Sequence, residues 1–392
     1  MKRQLLAFLL ASTLVSASLA CGGGGETAIL TFKFSGGGAH SMMLSPTGQV
    51  YTCGYNGSGQ LGIGGYDNAD VPTLVSTLSD KGVIAIAAGG FHSLALCSDG
   101  SVYAWGNNGY GQLGNGNTAD QPVPEELTYF ADKGIIAISA GGYHSLALSS
   151  DGTCYAWGNN GDYQLGNGGT GNLDTPAPVA GLSESHVIGI SGGWYHTLVL
   201  CEGGAVLSFG AHDYGQLGIG DTENTGLPMP VTTLTGLGVT AIAAGGTHSF
   251  ALCSDGSVYA WGSNDYGELG LGFDDGTNED LPVEVTALAD LNIVKIGGGW
   301  NFSAALTSDG TLYTWGDSNY GKLGLGDTTN VDTPTEVTAF SDTTVLAFAA
   351  CTYHMFAETS GGAIYSWGEN KSGDLGTGDT TSYNAPQLIT MP

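Results

Sequence analysis

The sequence predicts an all-β fold, a seven-bladed β-propeller, from three observations. A phrase returns seven times, its copies are almost evenly spaced, and strand-sized apolar runs alternate with turn residues. The phrase is clearest at 90–106, GFHSLALCSDGSVYAWG, and returns from 142, 194, 247, 301 and 353, with a weaker copy from 38. The glycines that close it, Gly54, Gly106, Gly158, Gly210, Gly262, Gly316 and Gly368, stand 52 residues apart in every interval except one of 54. A fixed period of this size marks a repeat architecture and has to be read before any single motif.

Each unit of about 52 residues contains four strand signals in a fixed order. An apolar run such as GVIAIAAGG leads into HSLALCSDG, then SVYAWG, a polar glycine loop NNGYGQLGNG, and a proline-marked run such as LPVEVTAL. Short apolar, β-branched and aromatic runs bounded by Gly, Asp and Asn read as strands. The Asp-Gly pairs beginning at Asp99, Asp151, Asp255 and Asp309 fall between two such runs, where a tight hairpin needs positive φ. Four short strands per unit suit a propeller blade, whereas the coils of a β-helix are much shorter. Residues 27–392 are therefore expected to form one domain. Its start, AILTFKFSGGGAH, matches the first run of a unit, and its end, APQLITMP, matches the proline-marked run. The N- and C-terminal strands are expected to complete one unit between them, closing the ring and hiding its edges.

The recurring G-x-H-S-L-A-L, S-D-G, V-Y-A-W-G and N-x-x-G-Q-L-G resemble the regulator of chromosome condensation repeat family over nearly all of 27–392. The resemblance implies a seven-bladed propeller, in agreement with the count above. It does not carry one function, because fold alone does not. The family's nuclear founding member is a guanine-nucleotide exchange factor for the small GTPase Ran and binds chromatin. Secreted bacterial relatives include propellers that inhibit β-lactamases, and these are nearest in expected compartment.

Residues 1–20, MKRQLLAFLLASTLVSASLA, have a basic start, an apolar stretch and small residues at the end, the pattern of a signal peptide. Cleavage after Ala20 and lipoprotein processing at Cys21 compete. The CGGGGE that follows suits a lipid-anchored cysteine with a glycine tether over 21–26, and this reading is preferred. An exported, bacterial cell-envelope lipoprotein is expected, with secretion as the alternative and the anchor as the one membrane contact. Beyond residue 20 six lysines face 36 acidic residues, a net charge of −30, and Arg3 is the one arginine. Phosphate backbones are held by Lys and Arg, so nucleic-acid binding is excluded. A monomer is expected.

His92, Ser93 and Asp99 supply the residue types of a hydrolase triad, but the repeat undoes that reading. Histidines recur at His40, His92, His144, His196, His248 and His354, with Phe302 in the sixth unit's place. A catalytic group is needed once per site, whereas a group repeated around a ring is set by the fold. Each imidazole is expected to hydrogen-bond backbone at the start of a strand. Trp105, Trp157, Trp261, Trp315 and Trp367, with Phe209 once in their place, are read as packing between blades. The six cysteines beyond Cys21 show no pairing pattern and read as small buried hydrophobes. No catalytic residue and no cofactor is assigned. Asp274, Asp275, Glu279 and Asp280, around the two-residue insertion, are a weak calcium candidate, and their spacing misses the EF-hand pattern.

Function is expected where the units differ. The places beside each histidine hold Phe91, Tyr143, Trp194, Tyr195, Trp300 and Tyr353, which should enter the innermost strands and gather at one axial mouth. The N-x-x-G loops add Tyr110, Tyr214, Tyr266 and Tyr320. Rigid aromatics are favoured interface anchors. The leading expectation is a non-enzymatic binding propeller presenting an aromatic and acidic face to a protein or glycan. A glycan-acting hydrolase or lyase with axial carboxylates is the alternative. Exchange-factor activity is disfavoured, because near-constant units leave no inserted wedge and export removes cytosolic GTPases.

Overall fold

The computed structural model describes residues 31–220, 223–273 and 276–392. Their strands form seven antiparallel sheets of four, each built from four consecutive strands. In the first blade these are β1 (Lys33–Gly36), β2 (His40–Leu44), β3 (Val50–Gly54) and β4 (Ala69–Leu74). The glycine-and-alanine-rich first run of each unit is the innermost strand, and the proline-marked run is the outer one. Proline has no N–H to donate, and an outer strand has one edge where none is needed.

Seven apolar clusters each join two neighbouring blades. In the cluster between blades 2 and 3, Leu94, Leu96 and Val102 pack on Ile138, Ala147 and Trp157. The core is thus seven face-to-face sheet contacts, which is why each blade's second strand is buried along its whole length. The Asp-Gly hairpins are tight turns: Gly100 has φ +87°, its N–H donates to the Cys97 carbonyl at 3.0 Å, and the exposed Asp99 carboxylate accepts the Ser101 N–H at 2.9 Å.

Ring closure differs in one respect from the sequence expectation. The termini meet at one seam, but they share no sheet: β1 pairs with β2, and the C-terminal strand Tyr383–Ile389 pairs with Ile364–Gly368 in blade 7. The link from an outer strand to the next innermost strand crosses the blade and is no part of a hairpin, so the chain can begin and end there with every sheet intact. Side chains close the ring instead. Phe34 stacks on Phe356 with centroids 5.5 Å apart, and the Phe32 N–H donates to Glu358 Oε2 at 2.7 Å.

Candidate functional site

The histidines bond the next blade's hydroxyl, not the backbone that the sequence suggested. His92 Nε2 lies 2.9 Å from Ser145 Oγ, and that hydroxyl donates to the Gln112 carbonyl at 2.7 Å. A serine has one proton to give, so the proton in the histidine contact sits on Nε2. The same relay joins His40 to Ser93, His144 to Thr197, His196 to Ser249, His248 to Ser303 and His354 to Ser41, at 2.6–3.0 Å. The Trp105, Trp157, Trp261, Trp315 and Trp367 indoles donate to the carbonyls of Gln60, Gln112, Gln216, Glu268 and Lys322, at 2.9–3.0 Å. Burial pushes all six imidazoles down to about 3, so they are neutral at physiological pH. At the sixth seam both partners change together: Phe302 stands for histidine and Met355 for serine, and both are fully buried in one cluster.

The aromatic set gathers at one axial mouth. Its residues precede the second strand of each blade; the innermost strand is the run before them, so the sequence expectation was one strand off. That run ends in glycines that turn over the axis, and the turns bond around the ring, from Gly38 N–H to the Gly90 carbonyl, Gly90 to Gly142, and Trp300 to Thr352. Trp194 and Trp300 fill places where four of the other five blades have glycine and blade 7 has Thr352, and their rings meet edge to face at 4.9 Å. The glycines make room for them. A Cβ at Gly38, Gly90 or Gly142 would come within 3.3, 3.4 or 2.9 Å of the Trp194 ring, and one at Gly246 within 2.9 Å of Trp300.

Ring contacts extend outward from this pair. Tyr143 lies 6.0 Å from Trp194 and 6.3 Å from Phe91, Tyr195 lies 6.5 Å from Trp194, and Tyr353 lies 6.5 Å from Trp300. Of the loop tyrosines, Tyr110 joins the cluster 5.4 Å from Tyr143. Tyr320, at φ +62°, turns instead to blade 7, where its hydroxyl accepts a hydrogen bond from Lys371 Nζ at 2.8 Å. Tyr214 and Tyr266 are exposed and stack on no ring among the described residues. Tyr55, absent from the sequence expectation, adds an edge contact to Phe91 at 6.2 Å. It directly follows Gly54, where most other units have Asn, Ser, Asp or Glu.

Comparison with known proteins matches the RCC1-like domain over residues 23–240. It also matches the regulator of chromosome condensation (RCC1) repeat at 255–306, 309–357 and 361–392, and a second form of that repeat at 239–268 and 293–322. The chain belongs to the RCC1 repeat family. The ultraviolet-B receptor UVR8 of Arabidopsis thaliana is 35% identical over 317 residues, 81% of this chain and 72% of UVR8. The E3 ubiquitin-protein ligase HERC2 of Homo sapiens is 35% identical over 355 residues, 89% of this chain, but this chain spans 7% of HERC2's length. Among solved structures, yeast RCC1 (Prp20) bound to Kap60 superposes with a TM-score of 0.78 at 26% identity, covering 88% of this chain and 84% of that one.

Within these RCC1 repeats one variable position was missed by sequence reasoning. The second residue of the G-Q-L-G loop reads Gln60, Gln112, Gln164, Gln216, Glu268, Lys322 and Asp374, so three consecutive blades replace a buried amide by a charge. Aligning the units on that loop would have exposed it. Glu268 accepts the Ser263 hydroxyl at 2.7 Å and the Tyr266 N–H at 2.8 Å. Lys322 is buried against Asp317 at 2.5 Å and donates to the Trp300 carbonyl at 3.1 Å, beneath the mouth. Burial lowers the Lys322 pKa and Asp317 opposes the shift. Desolvation raises Asp374 to about 7, and its Oδ1 has no hydrogen-bond partner.

The six cysteines among the described residues are buried and unpaired. Glu279 and Asp280 open the outer strand of blade 5, Glu279–Glu284. Asp274 and Asp275 lie outside the described residues, as do the signal segment 1–20, Cys21 and the tether.

Proposed function

We propose that the chain is a non-enzymatic binding propeller, exported and held at a bacterial cell envelope through Cys21, whose aromatic axial face docks a basic segment of a partner protein. The observation that carries this reading is the continuous aromatic surface from Tyr55 and Phe91 through Tyr143, Trp194 and Trp300 to Tyr353. Ring contacts and inter-blade backbone bonds hold it in place, so little side-chain entropy is lost on docking. Partly exposed, rigid aromatics of this kind are typical anchors of interfaces.

Charge selects the partner's chemistry. Asp162, Asp213 and Asp265 stand on the loops of three consecutive blades, in a chain of net charge −28. Burial and the neighbouring Asp213 raise the Asp162 pKa, a repulsion that an incoming cation relieves. A lysine or arginine over an aromatic face adds cation–π attraction. Prp20, similar over most of this chain, was itself solved with a protein partner, Kap60.

The chemistry at hand argues against catalysis. Every repeat histidine is buried, protonated on the nitrogen that faces its hydroxyl, and unable to act as a base near neutral pH. The hydroxyls are committed to backbone carbonyls. Of the four acids with raised pKa, Glu268, Glu358 and Asp374 are buried within blades 5 and 7, and Asp162 stands partly buried on a loop of blade 3.

The test is affinity capture from envelope extract with the full chain, followed by titration of the purified partner. Tyr143→Ala with Tyr353→Ala removes two anchors outside the indole pair and should weaken that partner by about 100-fold. Undiminished binding by the double variant, or capture of a glycan in place of a protein, refutes the reading.

A further inference from the structure

A central channel of about 920 Å³ runs along the ring axis, lined by the innermost strands of the blades. Trp194 and Trp300 lie at one end, and the hairpin residues Leu44, Ser45, Pro46 and Ser308 line the other. The volume lies within the range of small-molecule sites. Its charge is unlike that of the rest of the molecule. Among the described residues the lining contains Lys33 and Lys295 and no acidic residue, in a chain with 36 acids and eight basic residues.

The repeat provides an internal control for these two lysines. They occupy the same level of the innermost strand in blades 1 and 6, where the other blades have Ala85, Ala137, Gly189, Ala241 and Ala347. A blade therefore builds well without a lysine there. Lys33 Nζ donates to the Ile84 carbonyl at 2.7 Å and Lys295 Nζ to the Phe348 carbonyl at 2.5 Å. Neither forms an ion pair among the described residues. An ammonium has three protons, so each retains two donors.

One level nearer the indoles, the Ser35, Ser139 and Ser191 hydroxyl oxygens accept N–H groups of the next blade at 2.9, 3.1 and 3.0 Å. Each hydroxyl proton is thereby left for another acceptor. Among the described residues the channel offers cationic and neutral donors and no competing carboxylate, and two ammonium groups without an ion-pair partner match two negative charges. We propose that this channel binds a small dicarboxylate, entering from the hairpin end and held by Lys33 and Lys295.

Burial lowers both ammonium pKa values, Lys295 to about 8, and a bound anion would offset the desolvation. The acidic outer surface does not forbid entry, because exposed charges more than about 8 Å away are largely screened at physiological salt. Trp194 and Trp300 border both the channel and the aromatic face, but Lys33 and Lys295 take no part in the aromatic contacts that carry the proposed function, so either proposal can fail alone.

The experiment is calorimetry and thermal shift on the full chain with succinate, adipate and suberate, alongside hexanoate and inorganic phosphate. At least one dicarboxylate should bind one per chain and about tenfold tighter than hexanoate or phosphate, the loss expected for one missing charged contact. Lys33→Ala with Lys295→Ala installs the residue that other blades carry, so the variant should fold, and it should lose this binding. Each single variant should weaken binding about tenfold, and Tyr143→Ala with Tyr353→Ala should leave it unchanged. No heat and no shift with any dicarboxylate at millimolar concentration overturns the proposal. So does equal binding of hexanoate or phosphate, or undiminished binding by the double-alanine chain.

Discussion

The sixth seam suggests a transplant. Ser145→Met in the seam between blades 2 and 3 removes the hydroxyl that His92 Nε2–H donates to at 2.9 Å, while the Gln112 carbonyl keeps the Trp157 indole at 2.9 Å. The loss therefore falls on the imidazole, whose Nδ1 is already without a partner. A stranded buried donor costs about 1–3 kcal/mol. His92→Phe alone leaves Ser145 still donating to Gln112, at a cost of about 0.5–1.5 kcal/mol. The double variant reproduces the Phe302 and Met355 pair and strands nothing, so it should be more stable than Ser145→Met by about 1–2 kcal/mol. Urea unfolding followed by tryptophan fluorescence measures all four chains, with Ser145→Ala separating the polar loss from methionine's bulk. If the two single costs simply add, the relay contributes nothing as a unit and the exchange at the sixth seam is unconnected.

The remaining predictions concern charge and closure. Each imidazole is depressed from 6.5 in the unfolded chain to about 3, so its contribution is full above pH 6.5 and is lost as pH falls toward 3. The urea midpoint should fall steeply below pH 6, less steeply in His92→Phe, and an unchanged slope there would contradict the assignment. Asp374 has the opposite sign: its pKa is raised from 3.8 to about 7, so ionising it weakens the fold as pH rises through 7, and Asp374→Asn should stabilise at pH 8 but not at pH 4. Lys322→Met should cost about 3–5 kcal/mol by stranding buried Asp317, whereas Lys322→Gln with Asp317→Asn, the pair found in blades 2 and 3, should recover most of it in urea unfolding. Deleting 379–392 should remove the outer strand and Ile389 from blade 7 while the inner ring persists, and limited proteolysis should cut blade 7 first.

The fold was legible because each local choice agreed with the ring. The Gly54-to-Gly368 spacing counted the blades, and the Asp-Gly turns marked the hairpins between second and third strands. What stayed hidden lies across seams. Nothing within GFHSLALCSDG says that His92 spends its proton on Ser145, 53 residues away, because the bond exists only after two blades pack. The phase of the repeat is hidden for the same reason: sequence shows a period but not which link in it crosses a blade, so it does not tell a sheet shared by the two termini from a seam where Phe34 stacks on Phe356.

The same physics separates structural from functional residues. A ring of equal blades forces equal neighbours, so a position set by packing must repeat or change with its partner, as Phe302 changes with Met355. Trp194 and Trp300 do not repeat, and the partner each packs on is the other, 4.9 Å away. They replace glycine in two blades, and the glycines at 38, 90, 142 and 246 leave the space their rings fill. Lys33 and Lys295 likewise replace alanine or glycine, without an acidic partner among the described residues. Burying ammonium groups that have no acidic partner among the described residues is unfavourable for a ring that needed only to fold, since a desolvated charge without a counter-ion destabilises its surroundings. Lys33→Ala with Lys295→Ala should therefore raise the urea midpoint of the free chain even as it removes the anion response, and a lower midpoint would show that the lysines are there for the blades.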